Sequence, residues 1–139
     1  MKTTIQLHGV SVTIESADVN ATQTTPAPIA AQEEIYIGAI INAKGEGHHV
    51  FLLPGDHEAN WADSLEWAKS IGGDLPTRVE QALLFADFRN EFEERAYWSN
   101  EQHAADSGYA WYQYFNYGSQ GYDRMTSKLR ARSVRRSKF

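Results

Sequence analysis

NWADSLEWAKSIGGDLPTRVEQALLFADF, residues 60–88, predicts two helices whose ends can be identified from the sequence. Asn60 is a typical N-cap before an apolar repeat, and Gly72-Gly73 is typical of a helix C-terminus. Thr77-Arg78-Val79-Glu80 predicts a capping box at the start of the second helix. Helical spacing predicts the buried faces, which are Trp61, Leu65, Ala68 and Ile71 in the first helix, and Val79, Ala82, Leu83 and Ala86, widened by Phe85, Phe88 and Phe92, in the second.

Strand-like segments lie on both sides of the two helices. Residues 35–42 and 49–53 are apolar and β-branched, and Lys44-Gly45-Glu46-Gly47 between them predicts a hairpin turn. After Arg95 come three short strand-like pieces, AYWSN, YAWYQYFNY and KLRARSV. A hairpin followed by two helices and then strands predicts the α+β class, with the helices packed on an antiparallel sheet.

The N-terminal part has a different character. Residues 3–15 alternate in hydropathy and predict one or two short strands, whereas residues 17–33 are rich in Thr, Ala and Pro and predict a linker. We therefore divide the chain into a β arm (1–16), a linker (17–34) and a main domain (35–139). Because such an arm is too short to bury its own core, we expect it to dock on this chain, on a sister copy or on another protein.

Composition excludes several classes of site. The 139 residues contain no Cys, which excludes disulfides, thiolate metal sites and cysteine catalysis. No apolar run has the length of a signal peptide or a membrane span, so we expect synthesis in the cytoplasm and no membrane insertion.

The net charge of −5 is divided unevenly along the chain. Residues 1–123 carry six Lys and Arg against eighteen Asp and Glu, which leaves −12, whereas residues 124–139 carry seven Lys and Arg and no acid. We interpret the basic segment as a strand that faces the acidic remainder. Contact with nucleic-acid phosphates through Lys128, Arg130, Arg132, Arg135 and Arg136 is the alternative, which the overall acidity disfavours.

Patterns for catalysis and metal binding are weak. Ser99 lacks a Gly-x-Ser-x-Gly elbow, and Gly45-x-Gly47 lacks the rest of a phosphate-binding loop. His48, His49 and His57 lie near acidic residues, but no two have the i, i+4 helical spacing of a zinc site. The sequence therefore predicts no catalytic residue, no metal ligand and no cofactor.

AWYQYFNYGSQGY, residues 110–122, holds six aromatic rings in thirteen positions. Read as a strand, it places Trp111 and Phe115 on one face, as core residues, and Tyr112 and Tyr114 on the other, facing outward. Tyr beside Ser, Gly and Asn is typical of recognition surfaces. The alternative is that these tyrosines cover a neighbouring strand or an oligomer contact. The candidate ligand-binding residues are Tyr112, Tyr114, Asn116, Tyr117, Gln120, Tyr122 and His103.

Five short motifs follow one another along the main domain. In chain order they are Trp61-Ala62-x-Ser64-Leu65-x-Trp67-Ala68, Gly73-Asp74-Leu75-Pro76-Thr77-Arg78-x-Glu80, Tyr97-Trp98-Ser99-Asn100, Ala110-Trp111 with Phe115 and Gly118, and Arg130-Ala131-Arg132-Ser133-Val134-Arg135-Arg136. Their combination resembles the Lcl C-terminal domain family of bacteriophages, prophages and bacterial surface proteins, over residues 36–136.

The resemblance implies a C-type-lectin-like fold, related to formylglycine-generating-enzyme domains and to the variable proteins of diversity-generating retroelements. The copper-binding cysteines of the former have no counterpart here. The calcium motifs of sugar-binding lectins are also missing, since Ser99-Asn100 follows Trp98. In lectin-like variable proteins the ligand face is built from late strands and loops, which correspond here to residues 99–106 and 112–123.

The expected function is non-enzymatic recognition by a phage-encoded protein. In this interpretation the protein is a virion or tail component that binds a host surface receptor or a protein partner. Its arm would attach to sister subunits or to another virion protein, and a homo-oligomer such as a trimer is compatible with this role. The alternative is a phage protein of the host cytoplasm that inhibits a host defence factor, with its acidic residues mimicking nucleic acid.

Overall fold

The computed structural model describes the backbone of residues 2–7 and 10–15 and the full structure of residues 33–139. The class is α+β with two helices, as predicted. The elements in chain order are β1 (Lys2–Leu7), β2 (Val10–Glu15), β3 (Ile35–Ile41), β4 (Gly47–Leu52), β5 (His57–Ala59), α1 (Trp61–Ser70), α2 (Arg78–Phe88), a one-turn 3-10 helix (Arg89–Glu91), β6 (Ala96–Gln102), β7 (Tyr109–Tyr114), β8 (Gln120–Arg124), β9 (Leu129–Ala131) and β10 (Val134–Lys138).

These strands form three sheets. Residues 3–15, predicted as one or two short strands, form β1 and β2, which make an antiparallel pair. A three-stranded antiparallel sheet has the order β10-β4-β3, and a five-stranded sheet has the order β5-β9-β6-β7-β8. The second is mixed, because β6 and β9 pair in parallel at Tyr97 and Arg130. The predicted linker lies outside the described residues except for Glu33 and Glu34.

The predicted helix ends are confirmed. Asn60 Oδ1 accepts a hydrogen bond from Asp63 N at 2.9 Å. At α2, Glu80 N donates to Thr77 Oγ1 at 3.1 Å while Thr77 N donates to Glu80 Oε1 at 2.8 Å, which completes the capping box. Gly72 follows α1 with φ +94°, a conformation that glycine adopts readily.

The buried face of α2 differs from the predicted stripe. Glu80, Gln81 and Leu84 are buried, whereas Val79 is 62% exposed and Ala82 is exposed. Burial of the two polar side chains is tolerated because both have partners: Glu80 pairs with an arginine of β10, and Gln81 Nε2 donates to the carbonyls of residues 97 and 98 in β6. An apolar side of the helix is therefore left at the surface. The same prediction also failed at Ala86, which is exposed, and at Ile71, which lies just after α1 and is 40% exposed.

Two apolar clusters form the core. One contains Ile37, Val50, Leu52, Leu84, Tyr97, Phe115 and Val134. The other contains Ala68, Leu75, Trp98, Ala110 and Ala131, with side chains of α1 packed against it. Strand β7 and the turn after it contribute to both clusters, through Ala110 and Phe115. The predicted core position Phe115 is confirmed at 3% exposure, and Trp98 is fully buried.

The basic C-terminal segment lies against acidic residues of its own chain, as predicted from the division of charge. The ion pairs join Arg130 to Asp56 and Glu93, Arg135 to Glu34, and Arg136 to Asp74 and Glu80. Three of the arginines in the nucleic-acid alternative are therefore engaged within the chain.

KLRARSV is not one strand but the β9–β10 corner. Arg132 lies between the two strands and is buried, so the prediction of a single basic strand is wrong at this position. Its guanidinium donates to Leu53 O at 2.8 Å, and Ser133 Oγ donates to Ala68 O at 3.2 Å. Burial lowers the pKa of Arg132. These hydrogen bonds connect the corner to the end of β4 and to α1.

No helix within the described ranges 2–7, 10–15 and 33–139 is long and apolar enough to cross a membrane.

Candidate functional site

Strand β7 divides the predicted ligand-binding residues between two faces of the five-stranded sheet. Side chains alternate along a strand, and antiparallel partners directly opposite each other share a face. Tyr112 lies opposite Trp98, on the face that packs against α1. Trp111 lies opposite Tyr122 on the other face, where α2 packs. The alternation was predicted correctly, but the assignment of Trp111 to the core and of Tyr112 to the outside was wrong.

Tyr112 belongs to the packed face. It is partly buried and lies against the cluster around Trp98 and Ala110. Its ring also covers Gly121 of β8, where an added Cβ would lie 2.8 Å from Tyr112 Oη. Its ring therefore packs inside the fold and is not free to form an outward recognition platform.

Tyr114, Asn116 and Tyr117 lie together at the far end of β7. The rings of Tyr114 and Tyr117 meet edge to face, with centroids 5.4 Å apart, and Tyr117 is 77% exposed. Tyr114 borders an open pocket of about 340 Å³ whose lining carries both positive and negative side chains: Arg95, Lys128, Arg130, Glu58 and Glu94. This group is separate from Gln120 and Tyr122 because Tyr114 lies on the opposite face of the sheet.

The other face of β7 and β8 carries four rings, which we call the aromatic face: His103, Tyr109, Trp111 and Tyr122. The imidazole of His103 stacks on the Trp111 indole at 5.0 Å between centroids and contacts the Tyr122 ring at 4.3 Å. Tyr122 is edge-on to Trp111 at 5.2 Å and to Tyr109 at 5.9 Å. Trp111, predicted as core, is only partly buried, and Tyr122 is 49% exposed.

Arg78, the first residue of α2, covers part of the aromatic face. Its guanidinium carbon lies 3.5 Å from the centroid of the Trp111 ring, a cation–π contact. Arg78 Nε donates to Gln120 Oε1 at 2.9 Å, and Gln120 Nε2 returns a hydrogen bond to Arg78 O at 2.8 Å. Arg78 N donates to Glu101 at 2.8 Å. The guanidinium is thus held in place by the helix start, the indole and β8.

Beside Arg78 runs an open groove of about 510 Å³, which we call the α2 groove. Its helix wall is Val79, Ala82 and Phe85, and its sheet wall includes Gln113 and Gln120. Gly118 closes one end with φ +85°, and a Cβ there would overlap the Phe85 ring. The groove therefore combines an apolar wall with amide side chains.

The remaining polar clusters are engaged in holding the fold. Glu80 accepts hydrogen bonds from both Arg136 and His48 at 2.7 Å. Burial raises the pKa of Glu80, but the hydrogen bonds from Arg136 and from Thr77 N outweigh that effect and hold the pKa below its ordinary value. The field of Glu80 and Asp74 likewise raises the pKa of Arg136 despite its burial.

A second polar cluster surrounds Tyr97. Its hydroxyl donates to Asp56 Oδ2 at 2.6 Å and accepts from Glu93 N at 3.0 Å. Burial, reinforced by Asp56, raises the pKa of Tyr97 to about 12.

The histidines considered as metal ligands lie in three different places. His48 contacts Glu80 at 2.7 Å, His49 contacts Tyr36 Oη at 2.7 Å, and the His57 ring stacks on Trp67 at 4.9 Å. Over residues 2–7, 10–15 and 33–139 there is no cluster of three or more His, Asp or Glu side chains suited to a metal ion.

The structure thus brings together three predicted residues, His103, Gln120 and Tyr122, with others that sequence reasoning did not select, which include Arg78, Val79, Tyr109 and Trp111. In the sequence, Arg78 is recognisable only as part of the predicted capping box, and Val79 only as part of the predicted buried face of α2. Nothing in their spacing indicates that they face the late strands.

Comparison with known proteins finds no protein-family model that matches the chain and no match among curated proteins.

Proposed function

We propose that the chain is a non-enzymatic recognition module, phage-encoded and virion-associated, that binds a host surface molecule or a protein partner. Its ligand would lie on the recognition face, which we define as the aromatic face together with Arg78, Gln120 and the α2 groove. The C-type-lectin-like fold is part of this proposal. It is supported by the order of hairpin, helices and strands and by the motifs that resemble the Lcl C-terminal domain family.

The observation that carries the proposal is the exposure of large apolar side chains on the helix wall of the α2 groove and on the aromatic face beside it. Val79 is 62% exposed on the helix side, and Tyr122 is 49% exposed on the strand side. Contiguous apolar surface bordered by polar groups is typical of interaction sites in soluble proteins. Here the polar border consists of the amides of Gln113 and Gln120, the guanidinium of Arg78 and the carboxylate of Glu101.

The recognition face is also pre-organised. Gln120 is fixed by three hydrogen bonds, two of them to Arg78, and the four rings support each other by contact. Groups that are already ordered lose little conformational entropy when a ligand binds, which favours affinity. A rigid surface of aromatic rings and amides favours recognition over covalent chemistry.

The test is adsorption of the labelled, purified protein to cells of the phage host. Tyr122→Ala removes an exposed ring from the recognition face, whereas Tyr117→Ala removes an even more exposed ring from the other side of the sheet and serves as the matched control. We expect Tyr122→Ala to weaken adsorption about tenfold, as for a residue worth more than ~1 kcal/mol at an interface, and Tyr117→Ala to leave it unchanged. Equal adsorption by both folded variants and the wild type would contradict the proposal.

Mass spectrometry of purified virions separates this function from the alternative of a cytoplasmic inhibitor. The proposal expects the chain in assembled particles. Its absence from particles, combined with a stoichiometric partner in host cytoplasm, would favour the inhibitor.

A further inference from the structure

Strand β8 is the last strand of the five-stranded sheet, and no strand within residues 33–139 pairs with its outer side. Hydrogen bonds from Tyr114 N to Ser119 O and from Met125 N to Gly108 O bracket the β7–β8 ladder. Bonded and non-bonded pairs alternate in an antiparallel ladder. It follows that Gln120, Tyr122 and Arg124 are the residues of β8 whose backbone N–H and C=O groups point away from β7.

Two of these three positions are open to a partner. Arg124 N is already bonded to Asp123 Oδ1 at 2.7 Å, which leaves the outward backbone groups of Gln120 and Tyr122. Their side chains lie on the recognition face, because all the non-bonded pairs of one ladder share a face. The free edge of the sheet and the recognition face therefore meet at the same two residues.

The arginines beside the outer side of β8 differ from those of the C-terminal strands in their ion pairing. Among the residues 33–139, Arg78 and Arg124 form no ion pair, whereas Arg130, Arg135 and Arg136 all do. Arg78 is bonded to an amide and stacked on Trp111, and Arg124 Nε donates to Tyr109 Oη at 3.3 Å. Glu101, which also lines the α2 groove, accepts its hydrogen bond from the backbone N–H of Arg78, so both guanidinium groups retain donors suited to a further carboxylate.

We infer that the ligand of the recognition face is an extended polypeptide segment with acidic side chains, which adds to the outer side of β8 as a further strand. Its main chain bonds to Gln120 and Tyr122, an apolar side chain lies in the α2 groove, and its carboxylates face Arg78 and Arg124. This inference rests on the proposed function, since it uses the same face. A free strand edge favours a polypeptide because only a second main chain supplies donors and acceptors at matching spacing.

The probes are short synthetic peptides, and the readout is binding to the full chain by fluorescence anisotropy. The first peptide alternates glutamate and valine, the second alternates lysine and valine, and the third has the first sequence with every amide N-methylated. We expect the first peptide to bind, and the other two to bind at least about tenfold more weakly, the loss expected when hydrogen bonds or charge-assisted contacts are removed. Equal binding of the N-methylated peptide, or no binding of the first peptide, would overturn the inference.

Two substitutions at one position separate backbone from side chain. Tyr122→Pro removes the outward N–H without removing a β7–β8 ladder bond, whereas Tyr122→Ala removes the ring and keeps the N–H. We expect Tyr122→Pro to bind the first peptide about tenfold more weakly than Tyr122→Ala does. Equal affinity of the two variants would overturn strand addition, provided that circular dichroism shows both to be folded. The N-methylated peptide gives the same test on the unchanged protein.

The two proposals fail in different ways. If Tyr122→Ala lowers adsorption to host cells while the peptides do not bind, the recognition face is supported and strand addition is wrong. The ligand is then of another chemical class, such as a glycan. If the first peptide binds with the predicted pattern while adsorption is unaffected, strand addition stands and the partner is not on the host surface.

Discussion

The two faces of β7 carry similar aromatic side chains and have opposite environments. On the α1 face, Ala110 is buried and Tyr112 packs with Trp98 in a cluster. On the α2 face, Trp111 and Tyr122 contact Arg78, the rings of His103 and Tyr109, and each other, and both remain partly exposed. What differs is the helix that lies above: α1 contributes apolar side chains to its cluster, while α2 begins with an arginine and directs Val79 outward. Ring content alone therefore does not distinguish core from recognition surface.

The largest effect is expected on the packed face. Trp98 is fully buried, and its indole N–H donates to Ala59 O at 3.1 Å. Trp98→Ala should lower the free energy of unfolding by about 3–5 kcal/mol, because it leaves a cavity and removes the hydrogen bond from the indole. Trp111→Ala should lower it by about 1–2 kcal/mol, because that ring is only partly buried. Urea denaturation measures both, and equal losses would show that the two faces are equally part of the core.

Glu80 and Val79 are neighbours on α2 and sharpen the same comparison. Glu80→Gln breaks a buried charge network, and we expect a loss of about 2–4 kcal/mol. Val79→Gln changes an exposed side chain, and we expect a change within about 0.5 kcal/mol. A large loss of unfolding free energy for Val79→Gln would indicate that Val79 is buried, as the helical spacing predicted.

The Glu80 network also predicts a dependence on pH. Because the pKa of Glu80 is lowered in the folded protein, its carboxylate stabilises the fold at pH values above the ordinary 4.5. That contribution is lost as the pH falls through the lowered folded value. The stability of Glu80→Gln should therefore depend less on pH in this acidic range than that of the wild type. Parallel curves from urea denaturation across the range would contradict this role.

Two glycines with similar backbone angles provide a matched pair for the α2 groove. Gly118 and Gly72 have φ of +85° and +94°, but a Cβ at Gly118 would overlap Phe85, whereas nothing lies within 4 Å at Gly72. Gly72→Ala should cost about 1 kcal/mol, from backbone strain alone. Gly118→Ala should cost about 1–3 kcal/mol more, because the Phe85 wall of the groove must move. Thermal unfolding measures both, and equal melting temperatures would indicate that this end of the groove is not tightly packed.

Features set by neighbouring residues were predicted well from the sequence. The caps at Asn60 and Thr77 depend on hydrogen bonds across three residues, and the hairpin at residues 42–46 depends on local glycines. The strand alternation at Trp111 and Tyr112 was also predicted correctly.

Features set by distant residues were missed. The partner of Glu80 on β10 lies 56 positions away, so spacing along α2 could not indicate that its polar side is buried. The same limit applies to Arg78, which contacts Gln120 across 42 positions. Only three of the seven predicted ligand-binding residues lie on the recognition face. The alternation along β7 separated its two faces correctly, but it could not show which helix packs on which face.

The smallest effect on stability and the largest on binding are expected from the same side chain. Tyr122→Ala should change the free energy of unfolding by no more than about 0.5 kcal/mol, because the ring is half exposed and its loss leaves no cavity. Urea denaturation checks this value. A loss near that of Trp98→Ala would place Tyr122 in the core and remove it from the recognition face.

The most direct test of the account compares the two faces in one adsorption experiment with host cells. One variant combines Tyr122→Ala with Val79→Ser on the recognition face, and the other combines Tyr114→Ala with Tyr117→Ala on the opposite face. We predict that the first variant remains folded and loses adsorption, while the second adsorbs like the wild type. Loss of adsorption by the second variant alone would contradict the account and place the ligand at Tyr114 and Tyr117.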